Sequence, residues 1–578
     1  MSDQKVSFGK LFWPSFVAVM IAGLVSLLLF FLVLGGVIGS FGNFGPEPLA
    51  IRNSTILQLK LTGELKDKSD QSLDIASFQV DRTVGLPDLL YGIEKAKTDP
   101  KIKGIYLDLG GLTCGMGSAK ELHDAIKDFQ TSGKFAVAYL SGEYVSQTAY
   151  YISSAAKEVY GFPSTTMEFT GVGVQLMFFK NLLDNLNIEV DIVRGSNNDF
   201  KSAGEPFIAD SMSAANRLQY TELLGGIWSE VEVGIRASRR SINDSDWTHI
   251  LNHEPLLTAD RAQELALVDH LQYPDEWSVA DWGGDEDEII SAADFHSLIE
   301  PGDAKGVIAV LIAEGDVVDG SDAEAIADFD FTEQVDALLE RDDVQGVVLR
   351  INSPGGSALA SDEIHRGVVR LTDAFPVVVS MGGAAASGGY YMAAPADEIW
   401  AQPTTITGSI GVFGLLFSGE ELLNDKMGIK SQPVATHPFA SFPSLDRTPT
   451  ASELAVVQTS VDRTYARFKE VVAKGRKLEA SVVDSIARGR VYSGSKAQSL
   501  GLVDELGGLH EAVKSCAKRA ELSSYRVEHF TLDEEPWRRA LREFGVSLRS
   551  ASLEAQIRAL HTKIQRMGGI QARETLLL

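Results

Sequence analysis

Three short runs in this chain hold residues whose chemistry goes beyond packing. Thr407-Gly408-Ser409-Ile410-Gly411-Val412 sets a serine between glycines, where a sharp turn can present the hydroxyl. Gly-Ser pairs are common in loops, so the run alone is a weak signal. Asn352-Ser353-Pro354-Gly355-Gly356-Ser357 lies after an expected strand and before an expected helix. Its glycines let backbone N–H groups turn toward a bound oxygen, at a helix start whose dipole favours negative charge. That is the layout of an oxyanion hole, and equally that of a plain strand-to-helix turn. Ala385-Ala386-Ser387-Gly388-Gly389-Tyr390-Tyr391 offers a second serine beside small residues that also suit close helix packing.

A serine nucleophile needs a base. The chain has ten histidines but none between His365 and His437. His365 lies in the charged stretch Asp362-Glu363-Ile364-His365-Arg366, which is expected to face solvent. A Ser-His-Asp triad therefore has no local support, and a Ser-Lys dyad is the alternative. Phe200-Lys201-Ser202-Ala203-Gly204-Glu205-Pro206 carries one candidate lysine. A loop lysine is ordinarily a solvated charge and becomes a base only if burial makes it neutral.

The elements that position these residues come as two copies. Phe135–Val172 aligns without a gap on Phe375–Val412, an offset of 240 residues. Tyr150/Tyr390, Tyr151/Tyr391, Glu158/Glu398, Pro163/Pro403, Thr165/Thr405 and Gly171/Gly411 are identical pairs. Leu267-Val268-Asp269 is echoed by Leu502-Val503-Asp504. At the position of Ser409 the first copy has Phe169, and at that of Ser387 it has Gln147. A hydroxyl in one copy and a phenyl in the other is not dictated by the shared backbone, which favours a chemical role for Ser409. Runs such as Ile308–Ile312, Val347–Ile351 and Val377–Ser380 predict buried strands, and Thr332–Leu339 and Ser361–Leu371 predict helices. Their alternation predicts an α/β fold with a largely parallel sheet.

Composition bounds the rest. The 578 residues carry 79 acidic and 52 basic side chains, a net charge of -27, which argues against a nucleic-acid partner. Two cysteines, Cys114 and Cys516, exclude a disulfide scaffold and a Cys-rich zinc site. Phe16–Ile38 is uncharged and apolar, long enough for a hydrocarbon core of about 30 Å. Lys5 and Lys10 precede it, so the start of the chain is expected in the cytoplasm and the remainder outside. A cleaved signal peptide is the rival, and the stretch is long for one. The expected domains are an anchor at 1–45, copies at 46–272 and 304–523, an acidic solvated linker at 273–303, and an Arg-rich helical tail at 524–578.

The three runs at 352–357, 386–391 and 407–412, the Gly-Arg-Val-Tyr-Ser-Gly run at 489–494 and the Phe-Lys-Ser-Ala-Gly-Glu-Pro-Phe run at 200–207 together resemble the signal peptide peptidase A (protease IV) family in its long, two-copy form. The resemblance covers roughly residues 1–525. It implies tandem Clp protease/crotonase-like domains (ββα-superhelix repeats) after one transmembrane helix. It implies Ser409 as nucleophile, Lys201 from the other copy as base, and backbone N–H groups of Gly356 and Ile410 as oxyanion donors. No cofactor or metal is implied. It further implies a homotetramer in a bacterial inner (plasma) membrane, with the catalytic part on the periplasmic side, cutting cleaved signal peptides and other apolar peptides. The family's short form has its lysine after the serine, which makes Lys426 and Lys430 rival bases. Ser431 and Thr436 are candidates to steer the lysine. Other classes stay open: a Clp-like protease using Ser387 with a histidine, a crotonase-like acyl-CoA enzyme, and a non-catalytic membrane scaffold.

Overall fold

The computed structural model describes Gly23 and residues 50–74, 79–285, 288–300, 304, 306–530 and 570–573. The expected anchor, Phe16–Ile38, lies outside the described residues except for Gly23. Among the described residues no helix is long and apolar enough to cross a membrane. Contacts divide the chain into Met1–Ile51 and Arg52–Leu578. All the sheets below belong to the second unit.

Each sequence copy builds its own largely parallel sheet. The first runs in the order His270–Leu271, Glu158–Gly161, Phe135–Leu140, Ile102–Asp108, Thr55–Lys60, Ile289–Ser291. The second has Val377–Ala386, Val344–Ser353 and Val307–Glu314 at its centre. Ile406–Gly408 and Glu398–Ala401 both pair in parallel with Val377–Ala386. The apolar runs expected as strands lie in these central strands, and helices cover them. Ile364, Val368 and Leu371 line the inner face of helix Ala358–Ala374 at helical spacing. Equivalent side chains do equivalent work in the two copies. The hydroxyls of Tyr150 and Tyr390 donate to the carbonyls of Leu267 and Leu502, each at 2.8 Å. Asp269 and Asp504 accept the N–H groups of Val159 and Ile399, each at 2.7 Å.

A third sheet joins the copies. Its order is Glu189–Arg194, Phe413–Ser418, Ile570–Arg573, Gly355–Ser357, Val317–Val318, Ile326–Ala327. Glu189–Arg194, which leads to Lys201, runs antiparallel to Phe413–Ser418, which follows Ser409. The register runs from Glu189 opposite Ser418 to Arg194 opposite Phe413. This pairing brings the lysine run of one copy to the serine run of the other.

Three expectations need correction. The stretch 273–303 is no solvated connector. Ile289–Ser291 adds the edge strand of the first sheet, Val279 and Phe295 are buried, and Trp277 packs over Tyr106 with ring centroids 4.7 Å apart. The apolar side chains between its acidic residues supply that contact, and net composition hid them. The region 524–578 is not simply a helical tail. Arg526–Phe530 extends the second sheet in parallel beside Val307–Glu314, and Ile570–Arg573 is a strand of the third. His365 is not on a solvent face. Its ring sits edge-on to Tyr391 at 5.4 Å, and burial pushes the imidazole down to about 4.

Candidate active site

Ser409 leaves the end of strand Ile406–Gly408 in a left-handed backbone conformation, φ +49°. Such a conformation costs a non-glycine residue about 1–3 kcal/mol and persists only where surrounding structure enforces it. Here the enforcement is visible. The Ser409 N–H donates to the Arg490 carbonyl at 2.8 Å, and the Gly489 N–H donates to the Ile410 carbonyl at 2.9 Å. Thr407 Oγ1 donates to the Ala385 carbonyl at 2.7 Å, tying this strand to its neighbour. Ser387 also has a positive φ, +55°, and its N–H donates to the Gly408 carbonyl at 2.9 Å.

Lys201 reaches both serines. Its Nζ lies 2.8 Å from Ser409 Oγ, 3.0 Å from Ser387 Oγ and 3.2 Å from the Ser409 carbonyl oxygen. All three residues are 0% exposed, which removes the solvated-charge reading of this lysine. Its loop is fastened to the second copy through the backbone. The Phe200 N–H donates to the Arg488 carbonyl, the Gly195 N–H to that of Val412, and Asn198 Nδ2 also to that of Val412. Gln219 Nε2, from the helix Ala214–Ser238, donates to the Phe200 carbonyl and to Ser202 Oγ. Arg490 stacks over the Phe200 ring at 4.7 Å.

The rival groups stand elsewhere. Lys426 and Lys430 are exposed, as are Ser431 and Thr436. Ser387 takes the contact with Lys201 for which Ser431 and Thr436 were the candidates. The signal in the sequence was its pairing with Gln147 in the first copy, the same asymmetry that singled out Ser409. Gly356 lies in the strand Gly355–Ser357, against the residue that follows Ser387: a Cβ on Gly388 would sit 3.3 Å from its nitrogen. A side chain on Gly356 itself would meet the Val317 carbonyl oxygen at 2.0 Å, so only glycine fits. In the first copy the same places are filled without hydroxyls. Phe169 is buried edge-on to Tyr150 and Trp247, and the Gln147 amide bonds both the N–H and the carbonyl of Gly171.

The run 489–494 matched a family motif but had no role at the sequence level. Gly489 now has one. It has φ +72°, and a Cβ there would lie 2.5 Å from Lys201 Cβ. Gly489→Ala is expected to displace the lysine and lower kcat about 100-fold, the usual cost of a roughly 1 Å misplacement. Steady-state kinetics beside a circular-dichroism melt checks this; unchanged kcat in a folded variant contradicts it. A cavity of about 560 Å³ opens elsewhere, lined by residues such as Leu90, Asp124, His510 and His529 and by none of the serine and lysine residues above. Among the described residues no group of three or more His, Cys, Asp or Glu is placed to hold a metal ion.

A duplicated parallel α/β frame that sets a buried amine against serine hydroxyls is the build of a serine-type hydrolase. The model for "Peptidase family S49" matches the chain twice, at residues 128–279 and 370–523, once in each copy. "Protease 4" of Salmonella typhi is 34% identical over 469 residues, covering 77% of this chain and 73% of that protein. "Protease 4" of Haemophilus influenzae is 32% identical over 542 residues, covering 88% and 87%. A "Putative signal peptide peptidase SppA" of Enterococcus faecium is 36% identical over 206 residues, covering 35% and 59%. The chain belongs to peptidase family S49 and is a serine-type peptidase.

Proposed function

We propose that this chain is a membrane-anchored endopeptidase built on tandem Clp protease/crotonase-type domains, with Ser409 as nucleophile and Lys201 as general base. One observation carries the reading: a fully buried amine 2.8 Å from the hydroxyl of a strained serine. Desolvation disfavours the charged ammonium, and a neutral amine can take a proton. Lys201 Nζ removes the Ser409 Oγ proton as Oγ bonds to the peptide carbonyl carbon. The N–H groups of Gly356 and Ile410 receive the oxyanion. As the C–N bond breaks, the leaving amine takes the proton from Lys201. Water then hydrolyses the acyl-enzyme, with Lys201 again accepting the proton. Ser387 Oγ holds Nζ in line.

The substrates are cleaved signal peptides and other apolar peptides, in keeping with the name of the Enterococcus faecium relative. Phe16–Ile38 anchors the enzyme in a bacterial inner membrane with the catalytic part outside, as a homo-oligomer, tetrameric by family resemblance. A peptide-aldehyde or fluorophosphonate probe tests the reading. Peptide mapping is expected to find the adduct on Ser409 and to lose it in Lys201→Ala. An adduct on Ser387 would move the nucleophile there, and no adduct on folded oligomer would favour the scaffold.

A further inference from the structure

The cavity of about 560 Å³ lies between the two copies. Helices Leu86–Thr98 and Met116–Gln130 of the first copy line one side. Helix Leu509–Arg519 and strand Arg526–Phe530 line the other. Its apolar lining comes from Leu90, Ile93, Phe129, Leu509, Val513 and Val527. Glu94, Asp124, Asp128 and Glu511 add carboxylates to it. Of the cations in the lining, Lys97 is held by Asp128 and Arg526 by Asp343. The described residues stop at this cavity: His529 lines it, and Phe530 ends the strand. The sequence beyond carries a matching face. Trp537, Ala540, Leu541, Phe544 and Leu548 recur at i, i+3, i+4, i+7 and i+11, the spacing of one helix face. Asp533, Glu534 and Glu535 before Pro536 are the residues of a helix start. Arg538, Arg542 and Arg549 fall together on one flank of that face.

We propose that the segment 537–548 lays its apolar face in this cavity, in the manner of a helix in a groove, with its arginines toward the rim carboxylates. A space of this size takes a row of anchoring side chains, while the helix body, about 10–12 Å across, stays outside. The linking residues 531–536 reach about 20 Å when extended, which keeps the segment beside its groove at high effective concentration. A basic amphipathic stretch with a tryptophan also suits an anionic membrane surface. The place where the chain leaves strand Arg526–Phe530 favours the cavity. Glu121 lines the cavity as well and binds Arg350, so the copies are tied from within at the same point. The docked segment ties them from outside. It is a clamp across the junction on which the approach of Lys201 to Ser409 depends.

The test uses the full chain, in detergent micelles and in vesicles of phosphatidylcholine and phosphatidylglycerol. Ser547→Cys, beside the apolar face, is paired in turn with Lys95→Cys and Glu511→Cys on the two walls, and with Glu333→Cys as control. Glu333 is exposed on helix Asp328–Leu339, which packs on the opposite face of the second sheet from Leu509–Arg519. The native thiols do not compete, since burial pushes both Cys114 and Cys516 up to about 12. A short bismaleimide is expected to link position 547 to position 95 or 511 about tenfold more than to position 333. Adding Trp537→Asp with Leu541→Asp is expected to bring that link down to the control level. In the protein without added cysteines the same pair should speed hydrogen exchange in helices Leu86–Thr98 and Leu509–Arg519 by about tenfold. Links at the control level in both micelles and vesicles overturn the proposal. A link present in micelles and lost in vesicles also overturns it, and assigns the segment to the membrane surface. An unchanged link in the aspartate variant overturns it too, because the apolar face is then not the contact. No turnover is read, so the result stands apart from the assignment of Ser409.

Discussion

Ser409→Ala is expected to lower kcat by on the order of 10⁵- to 10⁶-fold, and Lys201→Ala by nearly as much, while both proteins stay folded. In the proposed mechanism the two groups act as one unit. Without Oγ there is no bond to the carbonyl carbon, and without Nζ the hydroxyl 2.8 Å away keeps its proton. The double variant should therefore be no slower than the worse single one, because effects within one catalytic unit are not additive. Ser387→Ala belongs on a different scale. Its hydroxyl touches Nζ at 3.0 Å and orients the amine, so a loss of about 10- to 100-fold with a shifted pH profile is expected, below the full worth of a general base. Lys430→Ala should change nothing, since that side chain is exposed. Turnover of an apolar fluorogenic peptide, normalised by circular dichroism, measures all five. Full activity in Lys201→Ala together with loss in Lys430→Ala would falsify the cross-copy pair.

What the sequence could and could not show follows from the range of the signals. Buried parallel strands are continuous apolar runs, so Val347–Ile351 and Val377–Ser380 were readable locally. The duplication was readable because the second copy repeats the first at a constant offset, and it carried the contrast between Ser409 and Phe169. Lys201 stood out as one candidate lysine, and only the resemblance assigned it the role of base. Its approach to Ser409 depends on Glu189–Arg194 pairing with Phe413–Ser418, a contact between segments more than two hundred residues apart. Ser387 was visible as a serine beside glycines, but nothing one-dimensional distinguishes a nucleophile from the hydroxyl that steers its base. The strand at Ile289–Ser291 was hidden by its acidic neighbours, because a three-residue edge strand is too short to show a period of two. Ile570–Arg573 was unreadable because four residues are also too few to show a period, and it pairs through its main chain with Gly355, Gly356, Ser357, Phe413 and Gly414, which leaves no side-chain signature.

Arg350→Met is expected to destabilise the protein by roughly 3–5 kcal/mol, the usual cost of breaking one side of a buried ion pair. Arg350 is 0% exposed in the centre of the second sheet, where the first copy has Asp108. Its guanidinium meets Asp67 at 2.9 and 3.1 Å and Glu121 at 3.1 and 2.8 Å, both from the first copy, and Ser380 Oγ at 3.1 Å. Burial works against its charge, but Asp67 and then Glu121 more than offset it, holding the guanidinium above its ordinary range. Methionine would fill the space and leave two carboxylates buried without a cation. Replacing all three charges together, Arg350→Met with Asp67→Leu and Glu121→Met, should recover most of the loss, because the penalty lies in the unpaired charge and not in the absence of the pair. Glu121 also accepts the Leu509 N–H, so recovery will be incomplete. Urea denaturation of the single and triple variants measures both. The copies approach closely beside the cluster: a Cβ on Gly117 would lie 2.7 Å from the Gly382 carbonyl oxygen. Since Lys201 and Ser409 come from different copies, a looser junction should also lower turnover per folded molecule. Titrating active sites with the serine probe separates the two effects. Unchanged turnover per labelled Ser409 in Arg350→Met would confine the cluster to stability, whereas a fall in that ratio makes it part of what aligns the lysine with the serine.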